Sequence, residues 1–512
     1  MGRPYMDSHC AILKREFGRL SEHNETGMSA EPQSNTLELS REEMREFGYR
    51  VIDMLLDYYD ERANKPVAET LDFEALDAIL REPLPRAGMP WQEALAQFER
   101  QVVDSSNRVD HPRFFAYIPL ANNFVSVMAD SLAAGYNIFN AVWLQGPGAA
   151  QIERLTVDWL RQIFGLPAEA GGTFVSGGSA ANLTALAVAR EAQLSGELRD
   201  AVAYCSDQIH FAVSRGMRIL GFAPEQLRKI PCDDHFRLPL APLMEAIAAD
   251  RAAGKRPFCV IASAGTTNTG AVDPLAALAD LCAAEELWLH VDGAYGAPAA
   301  LTEKGNLALK GLGRVDSLAL DAHKWLFQPI ECGVALVRDR RWLPRTFKET
   351  PEYLKDIQIE GEELNFMDQG IQLTRQFRAL KLWMSFKVFG LDAISEAIAA
   401  GFENAELAER LLRETGCWEI VTPAQMAIMT FRYQPANGDE ALADRVTQDL
   451  VGRMLDDGYA FASGTQLRGK PVMRMCCNNP RTTPDDIEKT IQLMTRLAAA
   501  LEAEHGGLPA SK

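Results

Sequence analysis

The chain has 512 residues, more than one hydrophobic core ordinarily organises, and its 47% hydrophobic and 24% charged residues give a globular composition. With 52 basic against 70 acidic residues the formal charge is −18, which disfavours nucleic acid and anionic membrane surfaces as partners. An anionic small molecule stays open, because one site can be positive inside an acidic protein.

Nine dispersed cysteines without a C-x-x-C motif point to reduced thiols and a cytoplasmic setting. The eight histidines show no zinc-like spacing, so no metal site is expected. The segment "MGRPYMDSHC" lacks the layout of a secretory signal, and no apolar run reaches the length of a membrane span. Residues 1–36 are polar and read as a tail. A helical segment over 37–123 follows, opened by a capping box from Ser40 and Glu43. Met44, Phe47, Val51, Met54, Leu55 and Tyr58 then recur at helical spacing.

From about residue 150 helical and strand-like segments alternate. "AAQIERLTVDWLRQIFG" is amphipathic, and "GTFVSGGSAANLTALAVAREAQ" runs from a short strand through a glycine turn into a helix. "RPFCVIASAGTTNTG", "LWLHVDGAYG" and "SLALDAHKW" are strands apolar on both faces. That pattern predicts an α/β domain over 124–380 with a mostly parallel sheet covered by helices on both sides. Ligands of such sheets sit beyond the carboxyl ends of the strands, where Thr266, Thr267, Asp292, Asp321, His323 and Lys324 collect. Residues 381–512 alternate long helices with short strands such as "QMAIMTFRY" and "PVMRMCCNN", and predict a smaller α+β domain. Its last helix starts at Thr483 or Pro484 with an acidic first turn.

Each polar residue has two readings. Lys324 at a buried strand end is a Schiff-base candidate, or else an ion-pair partner of Asp321. Asp292 could hold a protonated pyridine nitrogen, or cap a helix. Gly178 and Ser179 open a helix whose free N–H groups suit a phosphate, or form an ordinary turn. His210 could stack on a planar ring, or be structural. Asp292 and Lys324 stand 32 residues apart, about one β-α-β unit, which places them on adjacent or nearly adjacent strand ends.

The motifs "HPRFFAYIP" (111–119), "HVDGAYG" (290–296), "DAHKW" (321–325) and "RQFRALKLWMSFKVFG" (375–390) resemble those of the group II pyridoxal-phosphate-dependent amino-acid decarboxylases. The likeness extends from about Leu37 to about Leu497 and is greatest to the aromatic-L-amino-acid decarboxylases. It implies fold type I, with a seven-stranded sheet, and an obligate homodimer with shared active sites. The N-terminal helices of 37–123 would wrap the partner subunit. Lys324 would carry pyridoxal 5'-phosphate covalently, Asp292 would pair with its ring nitrogen, and Ala294 would back the ring. His210 would stack on the other ring face. Gly178, Ser179, Asp321 and His323 would lie around the cofactor, mainly near its phosphate, and Thr267 would lie near the ring hydroxyl or Asp292. Tyr353, in "KETPEYLKD", would be the proton donor to the alpha carbon, a packing tyrosine being the bland alternative.

The substrate would then be an L-amino acid, decarboxylated to its amine. Tyr117 and Pro119 match the family's pocket. Val109 stands where a tryptophan is common in aromatic-specific members, and Ala141 stands where a partner-chain phenylalanine usually lines the pocket. These departures leave a non-aromatic amino acid open. An aminotransferase on the same fold is the other alternative, with Arg474 binding the substrate carboxylate.

Overall fold

The computed structural model describes residues 37–68, 72–349 and 363–506. The expected tail at 1–36 and Tyr353 lie outside the described residues. Contacts divide the described chain into a small unit, residues 37–59 with 90–92, and a second unit holding everything else, including both sheets.

In the small unit the capping box is present. Ser40 N donates to Glu43 Oε2 at 2.8 Å and Glu43 N donates to Ser40 Oγ at 3.2 Å, so two free amides at the start of helix Arg41–Glu61 are satisfied reciprocally. Phe47 meets Trp91 edge-to-face with ring centroids 5.2 Å apart.

The second unit is built on a seven-stranded sheet: β1 (Gly171–Val175), β2 (Ala201–Ser206), β3 (Leu227–Ile230), β4 (Arg256–Ser263), β5 (Trp288–Asp292), β6 (Ser317–Asp321) and β7 (Gly333–Val337). Their order is β1-β7-β6-β5-β4-β2-β3, and all are parallel except β7, which runs antiparallel to β1 and β6. Both faces are covered, as the two-sided apolar strands predict. Along β2 and β4, Val202, Tyr204, Val260 and Ala262 enter a core with helices Pro147–Ile163, Leu240–Ala252 and Leu275–Ala284. Ala201, Ala203, Cys205, Cys259 and Ile261 face the opposite way, onto helices Gly178–Leu194 and Phe211–Ile219. The alternation is the pleat itself, with successive side chains leaving on opposite sides.

A second sheet, antiparallel, orders β8 (Trp418–Gln425), β9 (Ile428–Tyr433), β10 (Ser463–Leu467) and β11 (Lys470–Cys476) as β10-β11-β9-β8. Its core joins Phe431, Met473 and Met475 to helices Glu440–Asp457 and Pro484–Gly506. "QMAIMTFRY" is not one strand. Met426 and Ala427 have φ of 47° and 55° and turn the chain between β8 and β9, as a two-residue hairpin loop requires. The helix Ala379–Thr415 is broken at Gly390, whose φ of 75° and ψ of 166° are costly for any residue with a Cβ.

Candidate active site

Parallel strands carry their carboxyl ends to one edge, and there a cavity of about 340 Å³ opens. Its walls come from the turns after five strands: Ser176–Ala180 after β1, His210 after β2, Ser263 with Gly265–Thr267 after β4, Asp292 with Ala294 after β5, and Asp321, His323 and Lys324 after β6. Gly178, Ser179, His210, Thr267, Asp292, Ala294, Asp321, His323 and Lys324 therefore line one space, although the first and last are 146 positions apart in the sequence.

The pleat explains which residues face it. Leu289, Val291, Leu318 and Leu320 enter the core on the far side of the sheet. Asp292 on β5 and Asp321 on β6 belong to the alternate set, the side covered by helix Gly178–Leu194. Asp292 stands opposite Ala319 in the register, so the two carboxylates end adjacent strands.

Lys324 Nζ lies 3.1 Å from Asp321 Oδ2, and His323 Nε2 lies 3.7 Å from the same oxygen. The ion pair that competed with the Schiff-base reading is thus formed, but it is incomplete. Asp321 is 2% exposed and its Oδ1 has no hydrogen-bond partner among the described residues. One amine and one under-satisfied carboxylate at a cavity wall can exchange partners when a ligand enters.

Asp292 is buried, and its Oδ1 accepts the Ala294 N–H at 3.1 Å. That bond closes a turn and caps no helix, since the next helical turn is Ala297–Leu301 with Gly296 at its N-cap. His210 caps helix Phe211–Ile219, its Nδ1 accepting the Ala212 N–H at 3.3 Å. That bond leaves Nε2 to carry the ring proton. Burial first holds the His210 imidazole below its usual range; Asp292 opposes the shift and Lys324 adds to it. His323 is likewise depressed by burial, against the pull of Asp321.

Gly177 and Gly178 form the entry to helix Gly178–Leu194, whose N-cap has no side-chain partner. The first turn therefore keeps amides free for a ligand. There is no room for a side chain: a Cβ on Gly178 would sit 2.8 Å from Asp321 Oδ2 and 3.0 Å from the Ala294 Cβ.

Thr267 is exposed at the rim, while the Thr266 hydroxyl is used internally, 2.9 Å from Thr269 Oγ1. Among the described residues lining the cavity, none of Val109, Tyr117, Pro119 and Ala141 is found. Tyr117 is connected to it, since Arg474 donates from Nε to the Thr267 carbonyl at 2.6 Å and from Nη1 to the Tyr117 carbonyl. Pro119 O accepts from Asn478 Nδ2 at 3.2 Å, and Val109 O accepts from the Leu120 amide at 3.1 Å. Ala141 is buried elsewhere, beside Val142 and Met367.

Residues that sequence reading passed over also line the cavity: Asn182, Ser263, Ile330 and Glu331. Only Ser263 carried a usable signal, as the last residue of the "FCVIAS" strand. Behind Lys324, Trp325 stacks on Tyr295 at 5.0 Å with rings 4° apart, and the Tyr295 hydroxyl donates to Met426 O at 2.7 Å. The turn between β8 and β9 thereby braces the loop after β5. Among the described residues no group of three or more His, Cys, Asp and Glu side chains could hold a metal ion, and no helix is long and apolar enough to cross a membrane.

Comparison with known proteins agrees with this chemistry. A model described as the pyridoxal-dependent decarboxylase conserved domain matches residues 74–434. An aromatic-L-amino-acid decarboxylase of Bacillus atrophaeus is 48% identical over 472 residues, covering 92% of this chain and 98% of that one. Tryptophan decarboxylase 1 of Oryza sativa subsp. japonica is 32% identical, covering 88% of this chain and 93% of that one. Among solved structures, Oryza sativa TDC with PLP and tryptamine superimposes with a TM-score of 0.86 at 30% identity, covering 91% of this chain and 99% of that chain.

Proposed function

The chain belongs to the pyridoxal-dependent decarboxylase family, and from that premise we propose that it converts an aromatic L-amino acid to the corresponding amine and carbon dioxide, using the cavity at the carboxyl edge of the sheet. Enzymes of this family are carboxy-lyases that work with pyridoxal 5'-phosphate. The observation that carries the reading is the convergence of Lys324, Asp292, His210 and the Gly178 turn on one cavity. The aromatic preference rests on the 48% identical relative and its name.

The residues present fit the cofactor. The Gly178 cradle excludes a Cβ, and the orphaned Oδ1 of Asp321 awaits a partner. When bound, the cofactor supplies an electron sink for the bond that breaks at the alpha carbon. The protein supplies position and charge. Lys324 would hold the cofactor covalently through Nζ. Asp292 would keep a proton on the ring nitrogen, because a buried carboxylate favours the charged form of a neighbouring base. Gly178 and Ser179 would offer main-chain amides to the phosphate at a helix N-terminus. Ala294 would back the ring, and His210, neutral and protonated on Nε2, would cover its other face. Asp321 and His323, beside Lys324, would lie around the cofactor, and Thr267 would border the ring hydroxyl or Asp292. Tyr353 keeps its sequence-based role as proton donor and has no part in the geometry described. Arg474, the cation an aminotransferase would turn toward a substrate carboxylate, gives Nε and Nη1 to main-chain carbonyls, and its Nη2 has no partner among the described residues.

The reading includes a homodimer in a reducing, cytoplasmic setting. It is supported by the exposure of Leu132, Tyr136 and Leu144, at 46%, 78% and 71%, on the segment leading to and past Ala141, an apolar surface suited to a second copy. The eight described free cysteines suit reduced thiols. Val109, Tyr117, Pro119 and Ala141 would enter the substrate pocket only in that assembly.

A panel of L-amino acids, scored for stoichiometric carbon dioxide and amine, tests the activity and its substrate. Aromatic substrates should lead. Borohydride reduction of the cofactor-loaded protein, followed by peptide mapping, should tag Lys324; a tag on another residue would remove Lys324 from its role.

A further inference from the structure

From Asn182 in the cavity lining, a line of buried polar side chains given no role above runs inward beneath the floor. Trp288 Nε1 donates to Ser317 Oγ at 2.8 Å. Ser317 Oγ lies 2.9 Å from His290 Nδ1, and His290 Nε2 lies 2.8 Å from Asn182 Oδ1. Asn182 Nδ2 donates to Gly178 O at 2.8 Å. His290 and Ser317 are direct cross-strand partners of β5 and β6, and Asn182 sits one turn into helix Gly178–Leu194. His290 is 0% exposed, while Ser317 and Asn182 are each 1% exposed.

The direction is fixed from the Gly178 end, because a main-chain carbonyl can only accept. Asn182 Nδ2 faces Gly178 O, so Asn182 Oδ1 accepts the proton on His290 Nε2. A neutral ring then leaves Nδ1 as an acceptor for the Ser317 hydroxyl, which itself takes the Trp288 indole hydrogen. Burial depresses the His290 imidazole to about 4, with Asp292 opposing, in keeping with that neutral state.

We propose that Trp288, Ser317, His290 and Asn182 form a one-way hydrogen-bonded chain that fixes the Gly178–Ser179 peptide, making His290 and Asn182 positioning residues for the cofactor's phosphate anchor. The inference rests on the decarboxylase reading. Gly178 C=O and Ser179 N–H belong to one peptide plane, so anchoring the carbonyl aims the amide. Hydrogen bonding at the carbonyl also polarises the unit and strengthens the N–H as a donor. Gly178 lacks a side chain that could hold this plane, so the restraint comes from the helix and from Asn182. None of these four side chains needs to touch the substrate.

The test uses the full chain prepared free of cofactor. Titration with pyridoxal 5'-phosphate, followed by protein fluorescence, gives the dissociation constant for the unaltered protein and for Asn182→Ala and Ser317→Ala. Losing one anchoring hydrogen bond should weaken binding roughly tenfold in Asn182→Ala and about threefold in Ser317→Ala. The melting temperature of the cofactor-free variants separates positioning from scaffolding. An affinity loss that merely follows a fall in that temperature would overturn the proposal, as would unchanged affinity in both variants. If Asn182→Ala does not fold, Ser317→Ala decides by the same criteria. Independently, ¹⁵N-labelled histidine, with the His290 signal assigned by its loss in His290→Gln, should show a neutral ring protonated on Nε2. A ring protonated on Nδ1, or an imidazolium at neutral pH, would also overturn it. Unaltered protein that fails to bind pyridoxal 5'-phosphate would sink the decarboxylase reading itself, and this inference with it.

Discussion

The Glu153–Arg375 and Asp321–Lys324 pairs both bring opposite charges together inside the larger unit, at 2.6 Å and 3.1 Å. Glu153 and Arg375 have side chains 0% and 3% exposed, and almost every polar atom is used. Glu153 also accepts from Phe174 N at 2.9 Å and from Asn140 Nδ2, while Arg375 donates to Asn140 O at 2.9 Å, Phe174 O at 2.7 Å and Thr173 Oγ1 at 2.9 Å. A desolvated ion pair is tolerable under those terms, because each lost water is replaced. Asp321 has no such company. One of its oxygens is orphaned, and its partner Lys324 has a side chain 23% exposed at a cavity wall. The first pair is complete without a ligand. The second is left incomplete where a ligand is expected, so the same charge chemistry serves as a rivet in one place and a socket in the other.

Substitution of each cation should separate the two. Lys324→Ala is expected to have the largest effect on function: turnover falls to the uncatalysed background because no amine remains to hold the cofactor. Its unfolding free energy should change less than that of Arg375→Met, since cavity water can take over at Asp321. Wild-type rates of carbon dioxide release in Lys324→Ala would break the assignment. Arg375→Met should cost about 3–5 kcal/mol in denaturant unfolding, as Glu153 is left buried and uncompensated. A loss below about 1 kcal/mol would mean that solvent reaches Glu153 and that the pairs are not different in kind.

The socket was far more legible in the sequence than the rivet. Parallel strands announce themselves by apolar runs, and topology alone sends their carboxyl ends to one edge, so Asp292, Asp321 and Lys324 could be grouped from local pattern. Glu153 and Arg375 are separated by 222 positions, and nothing in either neighbourhood names the other. The Met426–Ala427 turn carries no glycine or asparagine, so its positive φ values escaped notice and two strands read as one. His290 was quoted within "HVDGAYG" but not singled out. Its i, i+2 relation to Asp292 places both on the site side of β5, whereas its bonds to Asn182 and Ser317 depend on pairing across 108 and 27 positions. Tyr117 and Ala141 belong to a different case: the family likeness gives Tyr117 to the pocket and Ala141 to a position that acts across a dimer, and the cavity within one chain is lined by neither.

A smaller perturbation probes the socket's shape. Gly178→Ala puts a methyl group 2.8 Å from Asp321 Oδ2 and 3.0 Å from the Ala294 Cβ. Overpacking of this kind costs about 1–3 kcal/mol, and here it falls where the phosphate would bind. Pyridoxal 5'-phosphate affinity should drop by about tenfold or more, measured by titration of the cofactor-free chain. Gly196→Ala is the control for a glycine with open space around it, although its φ of +82° adds backbone strain. Unchanged affinity in Gly178→Ala would show that the helix entry is not a tight cradle.

A graded effect, small for each pH unit, is a pH dependence of stability set mainly by buried imidazoles outside the Glu153–Arg375 pair. Burial depresses His111 to about 4, helped by Arg113, and depresses His290 to about 4. In the unfolded chain both titrate near 6.5, so between about pH 6.5 and 4 the unfolded state binds more protons and stability falls as pH falls. Asp273 acts oppositely. Burial pushes it up to about 6, although the Leu238 and Ser263 amides, each 2.7 Å away, pull it down. The folded chain therefore binds its proton first, between about pH 6 and 4, and this contribution grows on acidification. Two imidazoles against one carboxyl leave a net excess of about one proton in the unfolded state, or about 1.4 kcal/mol lost per pH unit over that interval. His210 and His323, both depressed by burial, add in the same direction. Denaturant melts of the cofactor-free chain at pH 7, 6 and 5 measure it, and they should fall together in Arg375→Met and the unaltered protein, because none of these imidazoles belongs to the Glu153–Arg375 pair. A flat profile would mean that His111 and His290 are not held neutral by the fold.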